Sequence, residues 1–429
     1  MAVDIVLGLQ RGDEGKGRFV DLMAGNYDIV ARFNGGCNAG HSIVAGSHKV
    51  ALHQVPSGIV NPGIVNVIGN GMLLDPVRLC DEIDELLGSG LKVTPENLAI
   101  SDMAHLTLPH HISEDEIREA GAGGQGSTKR GIAQTARDKY ERVGQRAESI
   151  VDDLNGLRQI VEDGLDRTNQ QRSEVGLEQL DVHAQTERWV EAATRLKPFI
   201  VDTVDLVQKK LAAGGNVLAE GAQAFGLDIE FGMYPFVSSS HPTPGGVLNG
   251  LGVNYRQLGK VVGVAKAIPS HVGGGPFVTE ITDQDTAANI RGQRGAVDAE
   301  YGASTGRERR VGYLDLPALR RSIRILGNPE LIVTKLDSVP KMGKMSKVAV
   351  AYELDGERLL VAPSSADKLA KCKPVYKELP TWEEDISGVR EFNDLPETAK
   401  QFVDFLAKEL DVDINLMGVG PERDQVVRR

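Results

Sequence analysis

The chain has 429 residues, 41% hydrophobic and 25% charged, the make-up of an ordinary soluble globular protein long enough to bury a sizeable core. Its formal net charge of −12, with no basic tail or stripe to offset it, argues against nonspecific nucleic-acid binding. Cys37, Cys80 and Cys372 stand far apart without a CxxC pair, which suits a reducing cytoplasm, and no run approaches ~20 apolar residues, so no membrane span is expected.

Residues 1–8, Met-Ala-Val-Asp-Ile-Val-Leu-Gly, lack the basic start and apolar run of a signal peptide and predict a first strand over 3–8. Further apolar runs predict strands at 28–33, 64–68, 216–220, 260–268, 331–334 and 347–354, with helices between them. One helix takes Asp75 as its N-cap and Pro76 as its first residue, shows an apolar face of Leu79, Ile83, Leu86 and Leu87, and closes at Gly88. The stretch 141–196 is more polar and reads as a helical insertion; another helix runs from about 198 to 211 and stops at Gly214-Gly215. The expected fold class is α/β: a large, mostly parallel twisted sheet flanked by helices, P-loop-NTPase-like, in one elaborated domain spanning 1–429.

The first strand leads into Gln10-Arg11-Gly12-Asp13-Glu14-Gly15-Lys16-Gly17, after which Phe19, Val20, Leu22 and Met23 begin a helix. Glycines let backbone N–H groups approach phosphate oxygens, a helix N-terminus favours negative charge, and Lys16 adds a cation. The spacing is not G-x-x-x-x-G-K-[ST], and an acidic pair sits inside the loop. A carboxylate beside a triphosphate is repelled unless it holds Mg²⁺ or takes a proton, so Asp13 reads as a chemical group.

Farther on, the glycine-rich run Gly123–Gly131 carries the hydroxyls of Ser127 and Thr128 and suits a phosphate-binding loop. The run Gly302–Arg310 offers guanidinium forks and a hinge-like glycine, which suit a dicarboxylate. The strand at 331–334 ends in Thr334-Lys335-Leu336-Asp337, where a carboxylate can accept from guanine N1–H and its 2-amino group while rejecting adenine.

Taken in register with Asn34-Gly35-Gly36-Cys37-Asn38-Ala39-Gly40-His41-Ser42 and Gly418-Val419-Gly420-Pro421-Glu422-Arg423, the first loop resembles the signature of the adenylosuccinate synthetase family, and the resemblance extends over essentially the whole chain. It implies a GTP-dependent ligase that joins L-aspartate to IMP through a 6-phosphoryl intermediate. Asp13 would be the base for N1 and His41 its partner on the phosphates, with Mg²⁺ on Asp13 and the Gly40 carbonyl. GTP would meet Gly12, Asp13, Glu14, Gly15, Lys16, Gly17, Gly40, His41, Ser42, Arg309, Lys335, Leu336, Asp337, Gly418, Val419 and Gly420. IMP would meet Asn38, Ala39, Thr128, Gln223, Ser238 and Arg307, and also Arg142 from a neighbouring subunit, which implies a homodimer. Aspartate would meet Val272, Ala303, Ser304, Thr305, Gly306, Arg307 and Arg309.

Several positions depart from the family pattern. Arg11 stands for an aromatic, His271 for an arginine, and Gly418 for a frequent serine. Ala133-Gln134-Thr135, Ala224-Phe225 and the stretch 240–244 around His241 also differ. These gather on the acceptor side and leave open the same chemistry on a different or modified purine nucleotide. A GTP-binding regulator without catalysis is a further reading; retention of Asp13, His41 and the 305–309 run speaks against it.

Overall fold

The computed structural model describes residues 2–45, 48–121, 127–296, 299–302 and 306–429. The first apolar run forms β1 (Val3–Gly8), inside a ten-stranded sheet. The remaining strands of that sheet are β2 (Ile29–Arg32), β3 (Val65–Ile68), β4 (Leu98–Ser101), β5 (Ile200–Val201), β6 (Val217–Glu220), β7 (Leu258–Lys266), β8 (Glu330–Thr334), β9 (Leu416–Gly418) and β10 (Val426–Arg428). Their spatial order is β5-β4-β3-β2-β6-β1-β7-β8-β9-β10. Every neighbouring pair is parallel except β9 with β10.

This is the expected large, mostly parallel sheet. Its unbroken apolar runs follow from burial on both faces. Ile5, Leu7, Ile29, Ala31 and Val217 pack into one cluster, while the alternating Val6, Val30 and Leu218 join Phe19 and Val20 in another.

The strand expected at 347–354 exists, as part of Met345–Leu354, but lies outside that sheet. It pairs antiparallel with Lys373–Pro380 and Glu357–Leu359 and parallel with Leu314–Asp315. Its partner Lys373–Pro380 has no buried residue, so this smaller sheet is not covered on both faces as the large one is.

Among the helices, α1 (Lys16–Ala24) begins at Lys16 rather than Phe19, because Gly15 adopts φ 85° and lets the chain turn directly into the helix. In α2 (Pro76–Gly88) the Asp75 side chain accepts from Arg78 N at 3.2 Å, as expected of the cap. Leu87, however, is 45% exposed; the buried face is Leu79, Ile83 and Leu86 with Cys80 and Glu82.

After α3 (Pro109–Ala120) and α4 (Ile132–Glu141), the polar stretch is helical as α5 (Leu154–Glu174) and α6 (Val182–Leu196). Leu157, Val161, Leu165, Trp189 and Leu196 share a buried cluster with α2 and β4, each apolar side chain contributing roughly 2–3 kcal/mol. The helix expected from 198 starts later, as α7 (Thr203–Ala212). Pro198 lies in a 3₁₀ turn, Ile200–Val201 is an edge strand, and Asp202 caps Asp205 N at 2.9 Å. Among the described residues no helix is long and apolar enough to cross a membrane.

Candidate active site

The loop after β1 is braced from inside. Glu14 is buried; its Oε1 accepts from Gln10 N (3.2 Å) and Gly12 N (2.8 Å), and its Oε2 pairs with Lys16 Nζ at 2.7 Å. A β-carbon at Gly8 would lie 2.4 Å from that Oε2, so Gly8 makes room for the brace. Glu14 therefore shapes the loop and turns its carboxylate away from a phosphate. Asp13, one residue earlier, sits at φ 58°, a conformation that costs a non-glycine residue roughly 1–2 kcal/mol.

Asp13 belongs to a chain of charges. Arg309 Nη2 meets its carboxylate at 2.8 Å, while Arg309 Nη1 holds Glu300 Oε2 at 2.7 Å. Glu300 also pairs through Oε1 with Lys335, and its Oε2 accepts from Ser270 Oγ at 2.7 Å; Lys266 Nζ donates to that hydroxyl at 2.5 Å. Burial opposes ionisation of Asp13, but Arg309 and then Lys266 outweigh it and hold the carboxyl below its ordinary value. Glu300 is likewise held well below the usual range, by Lys335, Lys266 and Arg309 against burial. Burial brings Lys266 down to about 8.

His41 opens the next loop strand, and its Nδ1 bonds Glu220 at the end of β6. Ser57 donates to the same carboxylate from Oγ (2.6 Å) and from its backbone N (2.7 Å). Burial pushes the His41 pKa down, while the hydrogen bond from His41 and the Arg32 charge help keep the Glu220 carboxyl below its ordinary value despite burial. Gly17 permits this placement, since a β-carbon there would be 2.6 Å from His41 Cβ.

At the opposite end stand Asp337 and Lys335, just past β8, and the residues after β9. Leu336 and Val419, expected to meet GTP, are fully buried in the core and, like Gly418, are absent from the cleft wall. Gly418 lies against Arg18: a β-carbon there would be 2.1 Å from Nη2. Residues 12–17 and 38–42, with Arg18, Thr128, Gln223, Ser238, Val272, Arg309, Lys335, Asp337 and Gly420, line one cleft of about 720 Å³.

Ser127 Oγ and the backbone N–H groups of Arg130 and Gly131 all donate to Asp115, which anchors the loop beside Thr128. Gln223 Nε2 donates to Asn38 Oδ1 at 3.3 Å. These two residues and Ser238 also border a second cavity of about 420 Å³, together with Lys139 and Tyr140 of α4. Arg142 caps α4 at φ 66° and lines neither cavity. Gly306 and Arg307 are likewise absent from the cleft wall; the Arg307 carbonyl accepts from Gly302 N at 2.8 Å. Ala303, Ser304 and Thr305, like residues 123–126, lie outside the described residues.

Two of the departures adjoin. His271 Nε2 faces the Gly274 carbonyl at 3.3 Å, and burial followed by the Arg11 charge pulls its pKa down to about 3. The Arg11 guanidinium lies over a neighbouring ring, its Cζ 4.7 Å from the Phe277 ring centre. Of the others, Phe225 stacks on Phe231 at 6.2 Å, Thr135 Oγ1 donates to Gly131 O at 2.8 Å, and Ser240 Oγ accepts from Asn34 at 2.7 Å. His241 stands 4.0 Å from Asp228, and Ala133 lines the cleft.

Sequence reasoning missed Glu220, Glu300 and Arg18 as parts of this site. Glu220 and Glu300 carried one signal, a lone acid beside a motif, at Glu220-Gly221-Ala222-Gln223 and just before Gly302.

A model of the adenylosuccinate synthetase family matches residues 5–427. The adenylosuccinate synthetase of Caldanaerobacter subterraneus is 39% identical, with 100% of this chain and 99% of that protein covered. That of Streptococcus gordonii is 42% identical, covering 98% and 96%. The structure of fully ligated adenylosuccinate synthetase from Plasmodium falciparum superposes with a TM-score of 0.91 at 34% identity over 100% of both chains.

Proposed function

The chain belongs to the adenylosuccinate synthetase family, and from that premise we propose how its own residues perform the reaction. It is a GTP-dependent ligase that joins IMP and L-aspartate, an activity consistent with a metal cofactor.

Asp13 takes the proton from N1 of the hypoxanthine ring, and O6 attacks the γ-phosphorus as its bond to GDP breaks. The aspartate amine then forms the bond to C6, phosphate leaves with O6, and the amine gives up a proton. Phosphorylation turns a poor leaving group into a good one, so the protein's task is positioning and charge. The Lys16 ammonium and the α1 N-terminus receive the phosphates, and His41, backed by Glu220, bonds the transferring group.

Mg²⁺ fits the donor set of Asp13 carboxylate and Gly40 carbonyl, hard oxygens that leave room for phosphate and water. When bound it neutralises charge on the phosphates. Arg309 pairs with one oxygen of the Asp13 carboxylate, so the other oxygen would hold the ion. Asp337 reads guanine. Thr128, Asn38, Gln223 and Ser238 hold IMP, with Arg142 reaching in from the second subunit of a homodimer. Val272, the 303–307 run and Arg309 receive aspartate. The whole chain works as one unit in the cytoplasm.

The observation that carries this reading is Asp13 and His41 on two loops facing one cleft at the start of α1, each with a charged partner of its own. The test is turnover of GTP, IMP and L-aspartate with Mg²⁺, followed by adenylosuccinate absorbance and phosphate release. Asp13→Ala should lower kcat by at least ~10³-fold while GTP still binds. Activity within tenfold of native would remove Asp13 from the role of base.

A further inference from the structure

Arg18 occupies the first turn of α1 and is 7% exposed. Its Nη1 donates to the carbonyl of Gly420, its guanidinium carbon is 4.7 Å from the Phe19 ring centre, and Nη2 has no hydrogen-bond partner among the described residues. An unsatisfied buried donor is unfavourable, the more so for a charged group. The guanidinium fits here because position 418 is glycine; any β-carbon would overlap Nη2. Asp337 is the charged group that supports Arg18, against a burial that brings its pKa down to about 10. Both residues line the same cleft with Gly420.

The edge of guanine presents, in a row, an amino donor, a ring N–H donor and a carbonyl acceptor. A carboxylate satisfies the two donors and leaves the carbonyl oxygen next to it in need of a donor. We propose that Arg18 is a specificity-determining residue of the donor-nucleotide site, supplying the guanidinium N–H that the guanine carbonyl oxygen accepts while Asp337 takes the two ring-edge donors. Adenine would turn an amino group toward the guanidinium, donor against donor, so the pair rejects it twice. This rests on the reading of Asp337 as the guanine-binding carboxylate, and the experiment separates the two.

Three triphosphates are compared by kcat/KM: GTP, ITP, which lacks only the amino group, and 6-thio-GTP, in which sulfur replaces the carbonyl oxygen. The native enzyme should prefer GTP over 6-thio-GTP by about tenfold or more, since sulfur is the weaker acceptor. Arg18→Met should lose at least ~10-fold with GTP and bring the two within about threefold, with the GTP-to-ITP ratio unchanged. Asp337→Asn should do the reverse, narrowing GTP against ITP and keeping the sulfur penalty.

Gly418→Ala gives a second route without altering Arg18, because the new β-carbon displaces the guanidinium and should also close the gap to 6-thio-GTP. A sulfur penalty absent from the native enzyme, or kept in either the Arg18 or the Gly418 variant, overturns the proposal. An unchanged GTP-to-ITP ratio in Asp337→Asn overturns the Asp337 reading instead.

Discussion

Glu220 is fully buried at the end of β6 and takes hydrogen bonds from His41 Nδ1, Ser57 Oγ and Ser57 N. With Nδ1–H directed at that carboxylate, the neutral ring of His41 carries its lone pair on Nε2. A phosphoryl group in the cleft asks for a donor there, and Glu220 stabilises the imidazolium that supplies it. Glu220→Gln keeps the shape and removes the charge. It should lower kcat by about 10²-fold and change KM for GTP less than about threefold, as read by steady-state kinetics; an unchanged kcat would show that His41 acts without the carboxylate. Asp13 and Lys16 were legible from a short motif, since glycine spacing and charge are local, whereas His41 came only with the family resemblance. Their partners were not. Glu220 is 179 residues from His41, and Gly420 is 402 from Arg18, so only the assembled sheet brings them together.

The ends of β1, β7 and β8 lie side by side, and that adjacency builds the charged network beneath the cleft. Lys266 closes β7 and Thr334 closes β8, where its hydroxyl donates to the Glu14 carbonyl at 2.9 Å. Glu300 then links Lys335, beyond β8, to Arg309 on the loop read as the aspartate site. One carboxylate thus fixes a cation at the end proposed to hold guanine and another at the end proposed for transfer. Glu300→Gln should reduce kcat/KM for both GTP and aspartate by roughly tenfold, on the order of 1.4 kcal/mol each, and leave KM for IMP within about twofold. Loss in only one of the first two would break the proposed link. Long apolar runs such as 3–8 and 331–334 were legible to within a residue. The strands β5, β9 and β10, of two or three residues, were not, because so short a run carries no period to tell strand from loop, and the four-residue β4 was missed although β2, β3 and β6 of the same length were found. The helix expected from 198 failed at its start, where the Asp202 cap outweighed the apolar pattern before it.

Sheet order is a property of the whole molecule, and no local pattern could have placed Met345–Leu354 in a separate sheet or set Arg11 beside His271. The reach of Arg142 is likewise decided at this scale. It ends α4 in a left-handed turn between Tyr140 and Val143, which are 70% and 58% exposed, and lines neither cavity of its own chain. A cation flanked by exposed apolar side chains is a surface a second copy would cover, and the proposed homodimer would place each Arg142 at its partner's acceptor site. Mixing two defective proteins tests this directly. Asp13→Ala lacks the base and Arg142→Ala lacks the phosphate contact, so each alone should be nearly inactive. If Arg142 serves the other subunit, half of the randomly exchanged dimers are hybrids, and each hybrid holds one site carrying both lesions and one carrying neither. The mixture should then recover about a quarter of native activity after subunit exchange. If Arg142 serves its own chain, each hybrid site carries one lesion and mixing restores nothing. Because both parents contribute the same chain at the same total concentration, recovery can come only from a site shared across the interface.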